Sequence, residues 1–581
     1  MQPKRKTPYI PWQTVYLLAC ASVIAAYVLY DPYQIDGDAV SYMDIASAII
    51  HKHFSAAING LWNPGYPALL AIPLYFFHPA PAKELQLFYW INYAIFIFSL
   101  FCTKAFVREI LKMRELDSAI GHRNRDWMLS EEICFVTAYS IVLLSWINEF
   151  SIGKIRVDAL YASFLLLAFC SLFKLVASEK VVPAFSLGIF LGLAYLVKSP
   201  GFVIAIFVAF IFSVYVAVTS ISRARVRQMI CATVAFVAVA SPYIIALSHQ
   251  KHRFDFGDSA RLNYAWLVAG TATTHLLNDQ PGRFGDADVH LQHPQTKVLS
   301  NPIVVTWRKF PNATYPPWFD PSYFNDGITP HFSLERQIRR VIGQSKSLIT
   351  FLVTHGLVFA LLGLAIYCGA EIRTARSIQI IVVLIYFLAT VSFLMYLSVL
   401  FLDRYVAGIL WVIAVSTFGF FTVNHQRSKL VMEGAAVFMS IVVLLTGVQH
   451  AIQMRREVAW SGVSRGWQES PVFDVARELN EQGVSPGTPV ACYRACNRGA
   501  YWARLAGVRI VSEISDSRYM QDMGNGAAMW DSLPNHPALL AALASTGAKA
   551  LVGYFEFPPS RQDGWRPLSG RYYWLPLTRQ R

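Results

Sequence analysis

Apolar residues recur along this chain in long runs, and a run of roughly 20 is enough to cross a bilayer as a helix. About eleven spans are expected, at 13–30, 87–107, 132–150, 159–177, 183–198, 202–220, 229–248, 349–368, 378–401, 405–423 and 430–450. Residues 66–77 are also apolar, but the stretch is short and interrupted by Pro67 and Pro73. It fits a re-entrant or interfacial helix better than a crossing. The pattern therefore predicts a polytopic α-helical membrane domain over 1–450, with outer loops at 31–86 and 249–348.

After 451 the pattern changes. Residues 472–482 have the period of an amphipathic helix, stopped by Gly483 and a Pro486-Gly487 turn. Strand-like runs at 489–493, 508–514, 548–554 and 572–577, with helical patterns at 498–505 and 538–545 between them, predict a soluble C-terminal α/β domain over 451–581. The loop 249–348 is too long for a bare connection. Its aromatic, Pro and Gly content, dense at 314–323, predicts short helices and turns packed on the membrane domain.

Charge sets the orientation. The short loops at 108–130, 221–228, 369–377 and 424–429 carry clustered Arg and Lys, which places them on the cytoplasmic side. Both outer loops and the tail then face outward; Arg455-Arg456, just past the last span, run against this vote of four loops. Lys4-Arg5-Lys6 precede the first run, and no small-residue cleavage site precedes Asp31, so an uncleaved anchor is expected. Such a layout fits a multi-pass membrane protein with its outer loops and tail on the extracytoplasmic side, which is the periplasm if the membrane is a bacterial inner membrane.

Charged residues are only 15% of the 581, against roughly 25% in soluble domains, which excludes an ordinary soluble enzyme. The formal net charge of +14 does not indicate nucleic acid, because many of the basic residues flank spans, where they set topology and meet anionic headgroups. Cys20, Cys102, Cys134, Cys170, Cys231 and Cys368 lie in or beside spans and read as packing residues. Cys492 and Cys496 lie in the polar tail, where an oxidising compartment would allow them to pair.

Polar residues gather where spans end on the outer side. Asp36, Asp38 and Tyr42 follow the first span, and Lys154, Arg156 and Asp158 fill the turn between the third and fourth. Lys198 opens Lys198-Ser-Pro-Gly201 between the fifth and sixth, and Asp403, Arg404 and Tyr405 join the ninth to the tenth. Charges at membrane depth are costly and as a rule paired or functional. Arg and Lys at headgroup level can hold a lipid-linked phosphate. A carboxylate beside them can take a proton from an acceptor hydroxyl while the cations stabilise the departing phosphate. Asp38 is the leading candidate for that base and Asp36 the second. Tyr42, Arg156, Asp158, Lys198, Arg404 and Tyr405 are the candidate substrate-binding residues.

Each has a structural alternative. Asp36 and Asp38 would suit a polar turn, Arg156 could pair with Asp158 or snorkel, Lys198 could cap a helix end, and Asp403 could pair with Arg404. Trp62-Asn-Pro-Gly-Tyr-Pro67 reads as architectural, since its Pro and Gly residues fix a turn into the re-entrant segment. No His-Glu-x-x-His, Cys-x-x-Cys or nucleotide-binding glycine loop occurs, so no motif supports a divalent metal or ATP-driven transport. A monophosphate leaves as a stable dianion, and no cofactor is required. Asn312-Ala-Thr314 matches a glycosylation acceptor, which matters only in a eukaryotic secretory compartment.

Four of these segments together resemble a known superfamily. Asp36-Gly-Asp38-Ala-Val-Ser-Tyr42 followed by Trp62-Asn-Pro-Gly-Tyr-Pro67 resembles the first outer loop of the GT-C glycosyltransferases, which include protein O-mannosyltransferases and lipid A aminoarabinose transferases. Arg156-Val-Asp158 is similar to their Arg-x-Asp/Glu turn, Lys198-Ser-Pro-Gly201 to a later outer turn, and Asp403-Arg404-Tyr405 to their late Arg-Tyr signature. The resemblance covers 1–450 and implies an outward-facing cavity for a polyprenyl-phosphate sugar. It also implies transfer to an acceptor hydroxyl of a glycan, lipid or protein, inversion at the anomeric carbon, and an outer-loop Asp as base. The base position falls on Asp38, although Ala39 stands where many members carry a second acidic residue, which leaves Asp36 in contention. The segments 261–266, 314–323 and 501–510 match no pattern of that superfamily.

Two other classes remain as alternatives. A transporter or flippase predicts ionisable residues near mid-span and often two related halves; the chain has few of the former and none of the latter. A non-catalytic envelope assembly protein predicts that Asp36 and Asp38 are dispensable.

Overall fold

The computed structural model describes residues 11–32, 34–119, 128–219, 221–272, 285–307, 310, 313–372, 376–423, 425–460, 471–495, 499–515, 530–559 and 564–577. Lys4 to Lys6, Asn312 and Cys496 lie outside these residues. Helix α1 (Trp12–Tyr30) leads into a first outer loop holding α2 (Gly37–Ile50), α3 (Phe54–Ala57) and α4 (Gly65–Phe77). Then come α5 (Pro81–Ala119), α6 (Glu131–Ser145), α7 (Asp158–Ala177), α8 (Val182–Val197), α9 (Pro200–Thr219) and α10 (Arg223–Lys251). The second outer loop carries α11 (Ser259–Tyr264), α12 (Pro316–Phe319), α13 (Pro321–Phe324) and α14 (Leu334–Gly343). The bundle closes with α15 (Ser345–Thr354), α16 (Gly356–Tyr367), α17 (Arg376–Val399), α18 (Asp403–Phe420) and α19 (Gln426–Trp460).

Eight of these helices are long and apolar enough to cross a membrane, or nine if α14–α15 and α16, bent by 73°, count as one broken span. The chain is a multi-pass membrane protein. The two expected spans outside that set are 87–107, part of the 39-residue α5, and 183–198, realised as the 16-residue α8. The latter is shorter than the roughly 20 residues a crossing needs. Segment 66–77 forms α4, a short helix with Pro73 inside it. Helices α6 and α7 are almost wholly enclosed, whereas α1, α10, α17 and α19 turn Leu, Ile, Val and Phe outward. Since lipid gives helices no hydrophobic reason to associate, packing and polar contacts must hold them. Tyr16 Oη meets Ser140 Oγ at 2.7 Å and Ser140 Oγ meets Ser440 Oγ at 2.8 Å, joining α1, α6 and α19. Ser99 Oγ and Ser163 Oγ join α5 to α7 at 2.8 Å.

Above the bundle sits a mixed sheet in the order β2-β3-β6-β5-β7-β9-β8. The tail supplies β5 (Pro489–Tyr493), β6 (Arg509–Ser515), β7 (Ala550–Tyr554), β8 (Arg566–Pro567) and β9 (Tyr572–Pro576), with helices α20 (Pro471–Glu481), α21 (Tyr501–Leu505) and α22 (His536–Ser545). Strand β5 runs parallel to β6 and β7, as the alternation of strands and helices implies. The outer loop supplies the rest, β2 (Thr296–Ser300) and β3 (Ile303–Thr306), with β3 antiparallel to β6. It also holds a separate pair, β1 (Ala287–Val289) with β4 (Ile328–Pro330). The sequence predicts short helices and turns in this loop; strands of three to five residues leave little periodic signal, and β3 finds its tail partner β6 about two hundred residues on. Cys492 in β5 is disulfide-bonded.

Candidate active site

The site is assembled from turns at one end of the bundle. The carboxylate of Asp31, just past α1, accepts from Ser151 Oγ at 2.5 Å and Gly153 N at 2.8 Å. Gln34 N donates to Gly153 O at 3.0 Å. Asn92 of α5 holds the other side of the same turn, donating to Ile152 O at 2.8 Å and Lys154 O at 2.9 Å. Any residue larger than glycine at 153 would put its Cβ 2.4 Å from Pro32 O. This knot sets the start of the first outer loop against the turn that carries Arg156.

Asp36 and Asp38 then diverge. Asp36 caps α2, accepting from Ala39 N at 3.0 Å, and pairs with Arg156 Nη2 at 3.0 Å. Asp38, in the first turn, faces a cavity of about 330 Å³. Around it stand Tyr42, Arg156, Asp158, Lys198, Arg404 and Tyr405, with Trp62, Trp266 and Trp318. The candidate catalytic and substrate-binding residues thus share one space except Asp36, and Lys154 and Asp403 do not line it either. The sequence-local pairing of Arg156 with Asp158 is replaced by a longer-range arrangement: Arg156 takes Asp36, while Asp158 takes Lys198 Nζ at 2.5 Å and lies 3.5 Å from Arg404 Nε. Lys198 also lies 3.3 Å above the Tyr405 ring, a cation–π contact. Three cations and two carboxylates face the cavity, so its wall favours an anion.

The loop residues complete the wall. Trp318 Nε1 donates to Asp38 Oδ1 at 3.0 Å, and its ring stacks on Trp266 at 6.2 Å between centroids. Trp62 meets Trp318 edge-on at 6.1 Å and donates to Trp318 O at 3.0 Å. Asn63 donates to Tyr195 O at 2.7 Å and accepts from Ser199 Oγ at 2.6 Å, fixing the turn after Lys198. Behind α11, Lys251 bonds Asp258, Arg253 bonds Asp326 at 2.7 Å and Arg261 reaches Asp258 at 2.8 Å. That charge network anchors the helix presenting Ser259 and Asn263 to the cavity. Trp266, Trp318, Ser259 and Asn263 are not picked out by the sequence. The one signal for Trp266, Asn263 and Trp318 is that 261–266 and 314–323 match no pattern of the GT-C superfamily; Ser259 has none.

Electrostatics distinguish Asp38. Burial, and then the like charge of Asp36, push its carboxyl up to about 6; the Trp318 hydrogen bond, Arg404 and Arg156 oppose that rise. A second cavity of about 440 Å³ adjoins the first across Arg156, Leu402 and Arg404 and is bordered by Lys346, Thr350 and Asp403. Among the described residues no group of three His, Cys, Asp or Glu side chains is gathered as a metal would need.

No protein-family model matches the chain, and no curated protein matches it. Solved structures do. The crystal structure of ArnT from Cupriavidus metallidurans bound to undecaprenyl phosphate superposes with a TM-score of 0.52 at 10% identity, covering 98% of each chain. Archaeal oligosaccharyltransferase AglB from Archaeoglobus fulgidus, in complex with an inhibitory peptide and a dolichol-phosphate, gives 0.47 at 11% identity over 94% of this chain and 69% of that one. ArnT in the apo state gives 0.43 at 11% identity over 98% of each. By the first of these likenesses the chain has an ArnT-like fold.

Proposed function

We propose that this protein transfers a sugar from a polyprenyl-phosphate donor to an acceptor hydroxyl at the outer face of the membrane, with inversion at the anomeric carbon. The observation that carries the reading is the placing of Asp38 in one cavity with Arg156, Lys198 and Arg404, walled by Trp62, Trp266 and Trp318. Asp38 takes the proton of the acceptor hydroxyl, whose oxygen attacks C1 of the sugar. The bond from C1 to the phosphate oxygen breaks, and polyprenyl phosphate leaves as a dianion stabilised by Arg404 and Arg156. Flat indole faces suit the sugar ring. Asp158 keeps Lys198 and Arg404 aimed into the cavity, and Tyr405 carries the Lys198 charge. A monophosphate leaves as a stable dianion, so a metal is not obligatory for this step. The likeness to ArnT bound to undecaprenyl phosphate supports a lipid-phosphate donor. The basic short loops support placing the cavity and tail on the non-cytoplasmic side, which in a bacterial inner membrane is the periplasm. The acceptor is a surface glycan, lipid or protein.

Mass spectrometry of lipid-linked sugars and envelope glycans, with and without the gene, tests the reading. One polyprenyl-phosphate sugar should accumulate in the deletion strain while one glycan modification disappears. Unchanged lipid-linked sugars and glycans reject it. The pH profile gives a second test. A base must be ionised, so transfer should rise with pH through a midpoint near 6, where Asp38 is held. Asp36→Asn removes the like charge that raises Asp38, so its acid limb should move to lower pH. Asparagine keeps the cap of α2, so the helix should survive the change. A limb that moves up, or not at all, would show that another group titrates.

A further inference from the structure

The tail contacts the helix that bears Asp38. Arg504, on α21, reaches into a closed site between α2 and α5. It donates from Nη1 to Asp44 at 2.7 Å, from Nη2 to Ser47 Oγ at 2.9 Å and Glu84 at 3.0 Å, and from Nε to Glu84 at 3.0 Å. Arg504, Asp44 and Glu84 side chains are each at most 10% exposed. Asp44 also accepts from Thr314 N at 2.7 Å and Thr314 Oγ1 at 2.9 Å. Thr314 O accepts from Ile510 N at 3.0 Å, and Tyr315 Oη donates to Glu513 at 2.7 Å, so the outer loop is fastened here to β6 of the tail. Four residues beyond Thr314, Trp318 closes over the first turn of α2. It bonds Asp38, and its carbonyl accepts from Ser41 Oγ at 2.8 Å. A Cβ at Gly37 would lie 2.8 Å from Trp318 Cδ1, so only glycine lets the indole come this near.

We infer that Arg504 is a positioning residue: through Asp44 and Thr314 the tail locks α2 and Trp318 together and so fixes Asp38 in the reaction cavity. A guanidinium fork fits this task because it serves two carboxylates and a hydroxyl at once, which a lysine cannot do with the same geometry. Its loss leaves two enclosed carboxylates uncompensated, and they can regain water only if α2 or α5 moves. The segment 501–510, which fits no known pattern in sequence, acquires a role by this route. The inference rests on Asp38 being the base.

The test uses the full chain in lipid nanodiscs, with Arg504→Gln and Arg504→Lys. Amide exchange over 37–50 reports the lock, and turnover of the polyprenyl-phosphate sugar extracted from the deletion strain reports its consequence. In Arg504→Gln, exchange over 37–50 should quicken while the spans stay protected, and kcat should fall roughly 10- to 100-fold, the scale of a small misplacement of a reacting group. Donor KM should change little. The acid limb should move to higher pH, because a loosened Trp318 hydrogen bond no longer lowers Asp38. Arg504→Lys should recover part of both protection and rate, and decides the matter if the glutamine variant does not accumulate. Unchanged exchange overturns the lock. Faster exchange with an unaltered kcat and acid limb overturns the positioning role. Absence of any sugar transfer by the wild-type protein would instead sink the functional reading, while exchange would still decide whether the tail holds α2.

Discussion

Asp38→Asn should insert and fold normally yet lose at least ~100-fold in kcat, the usual scale for removing a general base. Asparagine matches aspartate in size, and its amide oxygen can still accept from Trp318 Nε1, which now lies 3.0 Å from Asp38 Oδ1. What it cannot do is take a proton. Donor KM should stay close to wild type, because the proposed phosphate ligands are Arg156, Lys198 and Arg404 rather than Asp38. Asp36→Asn makes the contrast. Asp36 is engaged as cap of α2 and partner of Arg156 at 3.0 Å, so its variant should keep most of its rate and mainly shift the acid limb. Initial rates of both variants in proteoliposomes, at pH 7 and across the acid limb, measure these effects. Near-normal transfer by Asp38→Asn removes the base assignment; a larger loss in Asp36→Asn than in Asp38→Asn reverses the two roles.

The membrane fold and half of the cavity were legible in sequence for the same reason. Runs of apolar residues mark spans, and a span must end in residues that tolerate headgroups, so the charges that line the cavity, such as Arg156, Lys198 and Arg404, stand out against the positions beside them. Helix pairing then brings alternate turns to one rim without further information. The aromatic half was not legible. Trp266 and Trp318 come from a loop whose shape is set by contacts remote in sequence: β3 on β6, Thr314 on Asp44, and the Lys251–Asp258 and Arg253–Asp326 pairs behind α11. No local period encodes those. The choice of ion partners was hidden likewise. Adjacent charges invite the pairing of Arg156 with Asp158, yet the knot of Asp31 with Gly153 turns Arg156 toward Asp36 and leaves Asp158 to Lys198. Spacing in sequence says which charges reach the rim, and the tertiary knot says which of them remain uncommitted.

That distinction singles out Arg404 for the second large effect. Of the three cations facing the cavity, Arg156 is paired with Asp36 at 3.0 Å and Lys198 with Asp158 at 2.5 Å. Arg404 comes no nearer than 3.5 Å to Asp158, and its Nε is buried with no hydrogen-bond partner among the described residues. Like Arg156, it borders both cavities, the one holding Asp38 and the one reaching Lys346. A guanidinium held charged and only loosely engaged suits a phosphate that carries one charge as a diester and gains another as it leaves. Arg404→Gln should therefore raise donor KM and lower kcat together, with kcat/KM down by ~10²–10³, as for loss of a preorganised donor to developing negative charge. Arg404→Lys should recover only part of this, since an ammonium lacks the planar fork. The pH profile adds a sign. Arg404 lowers the Asp38 carboxyl, so its removal should carry the acid limb to higher pH, opposite to Asp36→Asn. Rate and polyprenyl-phosphate binding measured on the same preparations separate the roles: Asp38→Asn should bind the lipid phosphate and not turn over, whereas Arg404→Gln should fail at both. Undiminished lipid-phosphate binding by Arg404→Gln would move the anion site away from this guanidinium.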